Sequence, residues 1–222
     1  MSVSSAKHLA TIQPEWEDLP LACELLELRY KEPEHDLRVL ASDRGNVGSK
    51  KIQQVIRLLR LLGLLDEGKL TSTGQWLAVV FDQPVQQSYF GSKLGIGLKS
   101  TLSTTEKVLL WMVIYYEHHL PVLATLHQLS TEVVPTKQDS PAVQRLAERI
   151  SELYPSVNSM NSWTPRAKVH YKWMTHLGLS RVHSNRYILT ADGKAVFEQV
   201  EAECPSEWES ASVYQGTTLS DF

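Results

Sequence analysis

Lys50, Gln53, Gln54 and Arg57 fall on one side of a stretch patterned as a helix. Lys and Arg pair with guanine edges and with phosphates, and Gln can bond adenine at two points. Such a face therefore has the chemistry to read or grip a duplex. Lys51 flanks it. A second set, Arg166, Lys168 and Lys172, lies on a later helical stretch and is more purely basic, which suits contact with the phosphate backbone. Arg181 and Arg186 follow it, in a ribbon that could lie along a phosphate line or a minor groove.

Other chemistries find less support. His118, His119 and His127 form the densest group of the eight histidines, but adjacent residues on a helix point in different directions, which does not build a zinc site. Cys23 and Cys204 are isolated, which excludes a metal framework and fits a reducing compartment. The run from Gly91 to Gly97 is rich in glycine but lacks the Gly-Lys-Ser/Thr ending of a phosphate loop. No nucleophile elbow, Cys–His pairing or zinc-protease motif occurs. The sequence thus reads as non-catalytic, with no cofactor and no metal.

The elements that must carry the basic residues follow from apolar spacing. Ile52, Val55, Ile56, Leu59 and Leu62 make a helical stripe opposite the first basic face. Ser49 is expected to cap this helix and Gly63 to end it, after a turn at Arg44–Gly48 whose glycines suit positive φ. Leu64 to Thr71 reads as a short two-stranded wing with an acidic turn. Thr71 or Ser72 then caps a helix reaching Phe81. The chain later repeats this grammar: Leu62-Gly63-Leu64 and Leu70-Thr71-x-x-Gly74 return as Leu177-Gly178-Leu179 and Leu189-Thr190-x-x-Gly193. The second ribbon is longer, and Asp192-Gly193 is expected to start the last helix, through Val200.

Between and before these repeats, helices are expected over Leu19–Tyr30, Glu34–Ala41, Lys107–His118 and Pro121–Ser130. Ser103 and Glu106 have the spacing of a capping box. Thr131–Asp139 reads as a linker. Ser140-Pro141 and Thr164-Pro165 each look like a cap followed by proline in the first turn, opening helices to Tyr154 and Leu177.

The chain has 222 residues, 42% hydrophobic and 21% charged, with a net charge of −3. That charge is segregated. Residues 38–81 carry 7 Lys/Arg against 3 Asp/Glu, and residues 161–197 carry 6 against 1. Residues 1–36 and 198–222 are acidic. Both basic blocks coincide with the repeat, as an electrostatic footprint for phosphate would. The longest apolar run, Val108–Tyr116, is about half of a membrane span. No apolar segment follows the amino terminus as in a secretory leader. A cytoplasmic, nucleoid-associated or nuclear location is expected.

Segments 49–81 and 164–200 resemble the winged-helix superfamily in their order of helix, Leu-Gly-Leu, wing, Leu-Thr-x-x-Gly and helix. The resemblance implies a mainly α protein with two winged helix-turn-helix units and short β-wings. The first unit would span 16–82 and the second 140–203, joined by a helical segment over 83–139. A loose amino terminus (1–15) and an acidic tail (204–222) would flank them. Winged helices serve as transcription regulators, as subunits of genome-defence systems and as protein-binding modules. The expected function is therefore duplex-DNA binding within a larger assembly, with a protein partner or homodimer and no membrane. The runner-up is a partner-binding subunit similar to the tandem winged-helix subunits of chromosome-condensation complexes, which dimerise and grip a partner chain.

Overall fold

The computed structural model describes residues 14–39, 48–81, 101–153 and 160–203; the side chains of 14, 15, 117–119, 153, 160–162 and 203 are outside it. The expectations for the Arg44–Val47 part of the turn, the glycine run at 91–97, His118, His119, Cys204, residues 1–13 and the acidic tail therefore lie outside the described residues. The described chain is mainly helical and divides into two compact units, with the change at Val113 and Ile114.

In the N-terminal unit a 3-10 helix (Pro14–Glu17) leads into α1 (Leu19–Lys31). Asp18 caps α1 by accepting from the Leu21 amide at 3.1 Å. Helical backbone at 37–39 meets the edge of the described residues. Then come α2 (Ser49–Leu61), β1 (Leu65–Asp66), β2 (Lys69–Leu70) and α3 (Ser72–Phe81). Leu19, Leu25, Ile52, Val55, Leu59 and Leu64 are buried together with the apolar face of α3. Ser49 does not cap α2. Gly48 holds that position with φ −60 and no side-chain bond, so its φ is not positive either.

The long helix α4 (Thr104–Thr131) spans the division between the units. Its start is the expected capping box: the Ser103 amide donates to Glu106 Oε2 at 2.6 Å, and the Glu106 amide donates to Ser103 Oγ at 3.3 Å. Sequence spacing split this helix at Pro121, yet it continues. A proline inside a helix removes one backbone donor and costs about 3 kcal/mol. Burial of every residue from Pro121 to Leu126 offsets that cost.

The C-terminal unit continues with β3 (Val134–Pro135), α5 (Pro141–Leu153), α6 (Met160–His176), β4 (Ser180–His183), β5 (Arg186–Leu189) and α7 (Ala191–Glu203). The strands form an antiparallel sheet in the order β3-β5-β4. The stretch read as a linker thus supplies an edge strand, pairing Val134 with Tyr187 and Pro135 with Arg186. Ser140 caps α5 as expected, its Oγ accepting from the Val143 amide at 3.4 Å. Thr164-Pro165 is not a helix start: α6 begins at Met160, and Trp163, 3% exposed, anchors its first turn in the core.

One buried side chain ties three helices of this unit together. Gln128 on α4 accepts from the Tyr171 hydroxyl on α6 and donates through Nε2 to Glu132 and to the Ala142 carbonyl on α5, the latter at 2.7 Å. Glu132 in turn pairs with Arg145. The Tyr171 ring stacks on Tyr187 of β5 at 5.2 Å. A buried amide satisfied on both sides fixes the register of the helices around it.

The repeated sequence grammar is a repeated hydrogen-bonded clasp. Gly63 (φ 65) and Gly178 (φ 79) end α2 and α6 in the left-handed conformation. Leu64 bonds back to the Leu59 carbonyl at 2.8 Å and Leu179 to Met174 at 2.9 Å, the long bond of a Schellman motif. Thr71 then donates its hydroxyl to the Gly63 carbonyl at 2.7 Å and accepts from the Gly74 amide at 3.0 Å. Thr190 makes the same two bonds with Gly178 and Gly193, at the same distances. The expected cap at Asp192 is therefore corrected to Thr190, whose hydroxyl is the group in reach of the Gly193 amide. A Cβ at Gly74 would collide with the Leu64 carbonyl oxygen, and one at Gly193 with that of Leu179.

Gly74→Ala and Gly193→Ala are each expected to destabilise their unit by about 2–3 kcal/mol, because the obstacle is backbone and cannot swing away. Thr71→Ala and Thr190→Ala should cost about 1–2 kcal/mol each. Gly48→Ala, built into open space, should change stability by less than about 1 kcal/mol. Urea unfolding midpoints of the five variants check all three expectations.

Candidate nucleic-acid interface

The clasps fix where each basic helix ends and each hairpin begins, and so where the charged side chains stand. In the N-terminal unit Lys50, Gln53 and Arg57 are exposed on α2. Two of their neighbours are engaged. Lys51 Nζ lies 2.5 Å from Asp18 Oδ2, the same carboxylate that caps α1. Gln54 is half-buried, and its Oε1 accepts from the indole Nε1 of buried Trp16 at 2.9 Å. Gln54 thus satisfies a core tryptophan, and its amide oxygen is not available to an adenine.

The hairpin of this unit is short. Asp66 pairs with Lys69 across a two-residue turn whose central residues, Glu67 (φ 44) and Gly68 (φ 84), are both left-handed, as in a type I′ hairpin. Arg60 and Lys69, which spacing arguments on α2 left out of the candidate set, are exposed beside it.

In the C-terminal unit the candidates separate by burial. Arg166, Lys168 and Lys172 on α6 are half-buried. Arg166 lies 5.2 Å over the Trp163 ring, a cation–π contact, and burial lowers its pKa from the usual arginine value. Arg181 and Arg186 are exposed. The hairpin register puts Arg181 opposite Ile188 and His183 opposite Arg186. Because side chains alternate along a strand, Arg181, His183, Arg186 and Ile188 share the outer face, while Tyr187 turns inward and is buried. His183 is a member of this face that the sequence reading did not select; its spacing of two from Arg181 was the available signal. Ser184 (φ 48) and Asn185 (φ 58) form a second type I′ turn, held by the Thr136 amide donating to the Asn185 carbonyl at 2.9 Å.

Groups that could carry other chemistry are accounted for within the described residues. Among them, no three His, Cys, Asp or Glu side chains are placed to hold a metal ion. Cys23 is buried and forms no disulfide among the described residues. His127 on α4 has its pKa lowered by burial and then by Arg149. No helix among the described residues is long and apolar enough to cross a membrane.

His170, in the middle of α6, is 1% exposed. Its Nδ1 lies 3.2 Å from the Arg166 carbonyl, so that nitrogen carries the proton, and its ring is 5.4 Å from that of Trp173. Nε2 is buried with no hydrogen-bond partner. Burial pushes the pKa of this imidazole down to about 4.

The neutral form of His170 is therefore the folded form. Above pH about 6.5 neither the folded nor the unfolded chain protonates it. Between about 6.5 and about 4 only the unfolded chain does, so stability should fall as pH falls, by up to about 3 kcal/mol from this residue. Urea unfolding at pH 7 and pH 5 should show a smaller loss for His170→Phe than for the parent chain. Gln54→Ala should cost about 1–3 kcal/mol by orphaning the Trp16 indole. The chain matches no family model, no curated protein and no solved structure.

Proposed function

We propose that the chain is a non-catalytic duplex-DNA-binding protein built from two winged-helix units and working within a larger assembly. The order of helix, strand, two helices and hairpin in the C-terminal unit, with β3 pairing onto β5, supports the winged-helix reading. The N-terminal unit supports it through the same clasp and a shorter wing. The observation that carries the DNA reading is the outer face of β4–β5. There Arg181, His183 and Arg186 stand exposed on one side of a rigid hairpin, and among the described residues neither arginine is in an ion pair.

This arrangement suits phosphate contact rather than base reading. Guanidinium groups on a hairpin can follow a backbone, and each contact releases condensed counterions. Lys168 and Lys172, half-buried on α6, extend the positive surface of the same unit. In the N-terminal unit Lys50, exposed on the first turn of α2, is an additional phosphate contact.

The alternative is a subunit that dimerises and grips a partner chain. Trp76 on α3 and Met112 on α4 favour it: they leave 57% and 60% of their surfaces in solvent, apolar area that a partner chain could cover.

Fluorescence anisotropy with a labelled duplex over a range of salt separates the two. The DNA reading expects a steep linear fall of log affinity with log salt. Arg181→Ala and Arg186→Ala should each lower that slope by about 1, whereas Lys51→Ala, whose ammonium is held by Asp18, should leave it unchanged. No duplex binding at low salt, with concentration-dependent dimerisation that Trp76→Ser or Met112→Ser abolishes, would establish the alternative.

A further inference from the structure

A cleft of about 640 Å³ opens on the N-terminal unit. Its floor is one face of α2, formed by Gln53, Ile56, Arg57 and Arg60. Residues 33–38, just after α1, make one wall, and the wing around Glu67–Lys69 makes the other. Of the face that sequence spacing assigned to base reading, Gln53 and Arg57 line this cleft, beside residues 33–38 and the hairpin at Glu67–Lys69.

The charges in the cleft differ in availability. Arg29 donates to the Pro33 and His35 carbonyls at 2.7 and 3.0 Å, holding the first wall in place. Arg38 is paired with Asp36 at 2.9 Å, and this contact keeps the Asp36 carboxyl below its ordinary pKa. Arg57, Arg60 and Lys69 are exposed and, among the described residues, in no ion pair. Glu34 and Glu67 lie toward the two walls. The available charge on the floor is positive, with Ile56 as a half-buried apolar seat between Gln53 and Arg57. Among the described residues no Phe, Tyr or Trp lines the cleft, so they offer no such ring on which the bases of a single strand could stack.

We propose that this cleft binds an extended acidic peptide segment of a protein partner, with Arg57 and Arg60 each pairing with a carboxylate. The spacing is compatible. Side chains three apart on a helix stand about 5–6 Å apart, and alternate side chains of an extended chain stand on one face about 7 Å apart. Arginine suits the role, since its planar fork takes a carboxylate through two hydrogen bonds. The inference is independent of the duplex-DNA reading, which rests on residues of the C-terminal unit and on Lys50.

The test uses the full chain and a fluorescein-labelled peptide of alternating Glu and Ser with one central Leu, beside a twin in which Gln replaces every Glu. The acidic peptide should bind and the neutral twin should not. Arg57→Gln and Arg60→Gln should each weaken binding about five- to tenfold. Glu67→Asn, which removes a repelling carboxylate and also suits the left-handed turn, should tighten it about two- to threefold. Failure of the acidic peptide to bind would overturn the proposal, as would parent-like binding by both arginine variants. Tight binding of oligo-dT that Arg57→Gln and Arg60→Gln abolish would overturn it in favour of single-stranded nucleic acid.

Discussion

The structure depends on one small hydrogen-bonded junction, used twice. A threonine hydroxyl stands between the carbonyl that ends one helix and the amide that starts the next, donating to the first and accepting from the second. The helix end itself turns on a left-handed glycine. A second glycine, in the first turn of the following helix, lets that helix sit against the backbone carbonyl of the residue after the turn. In each junction the one hydroxyl satisfies two backbone groups, the carbonyl of the helix-ending glycine and the amide of the glycine that follows the threonine by three. The ribbon between its two sides is thereby clamped at its base and free in length. That is how the spacing can be eight positions from Gly63 to Thr71 and twelve from Gly178 to Thr190 while the bonds have the same lengths.

Function sits on what differs between the two units. The first ribbon is short, with acidic residues at its tip, and it walls a cleft over α2. The second is longer, gains β3 as a third strand, and turns two arginines and a histidine outward on one face. Cations elsewhere serve the fold: Lys51 holds the Asp18 cap, Arg29 braces the 33–35 carbonyls, Arg145 completes the Gln128–Glu132 network, and Arg166 covers Trp163. Formal charge alone overstates the surface on offer to a ligand. Availability after these engagements is the better guide.

Much of the scaffold could be read in advance, because its signals are local. The Leu-Gly-Leu ends, the capping box at Ser103 and the Ser140-Pro141 start each lie within a few residues of the backbone groups they satisfy. Pro121 and Pro165 misled, since a proline's preference for helix starts is outweighed where the surrounding turn is buried. Strand β3 has only two residues and no alternation, so it exists by virtue of its partner β5. The candidate interface was less legible for the same reason. Gln54 and Lys51 share the spacing of their neighbours, but their partners, Trp16 and Asp18, lie more than thirty residues earlier in the chain. Nor could spacing on α2 reveal that residues 33–38 line a cleft together with Arg57 and Arg60.

Native-state hydrogen exchange tests most directly whether the twin junctions hold the fold. The amides of Leu64, Thr71 and Gly74, and those of Leu179, Thr190 and Gly193, lie at turns and helix starts, where exchange is ordinarily fast. If the junctions are the structural base described here, each trio exchanges as slowly as the buried centre of the helix before it, α2 or α6. Exchange of these amides at the rate of open loop backbone, while the helix centres stay protected, would contradict the account.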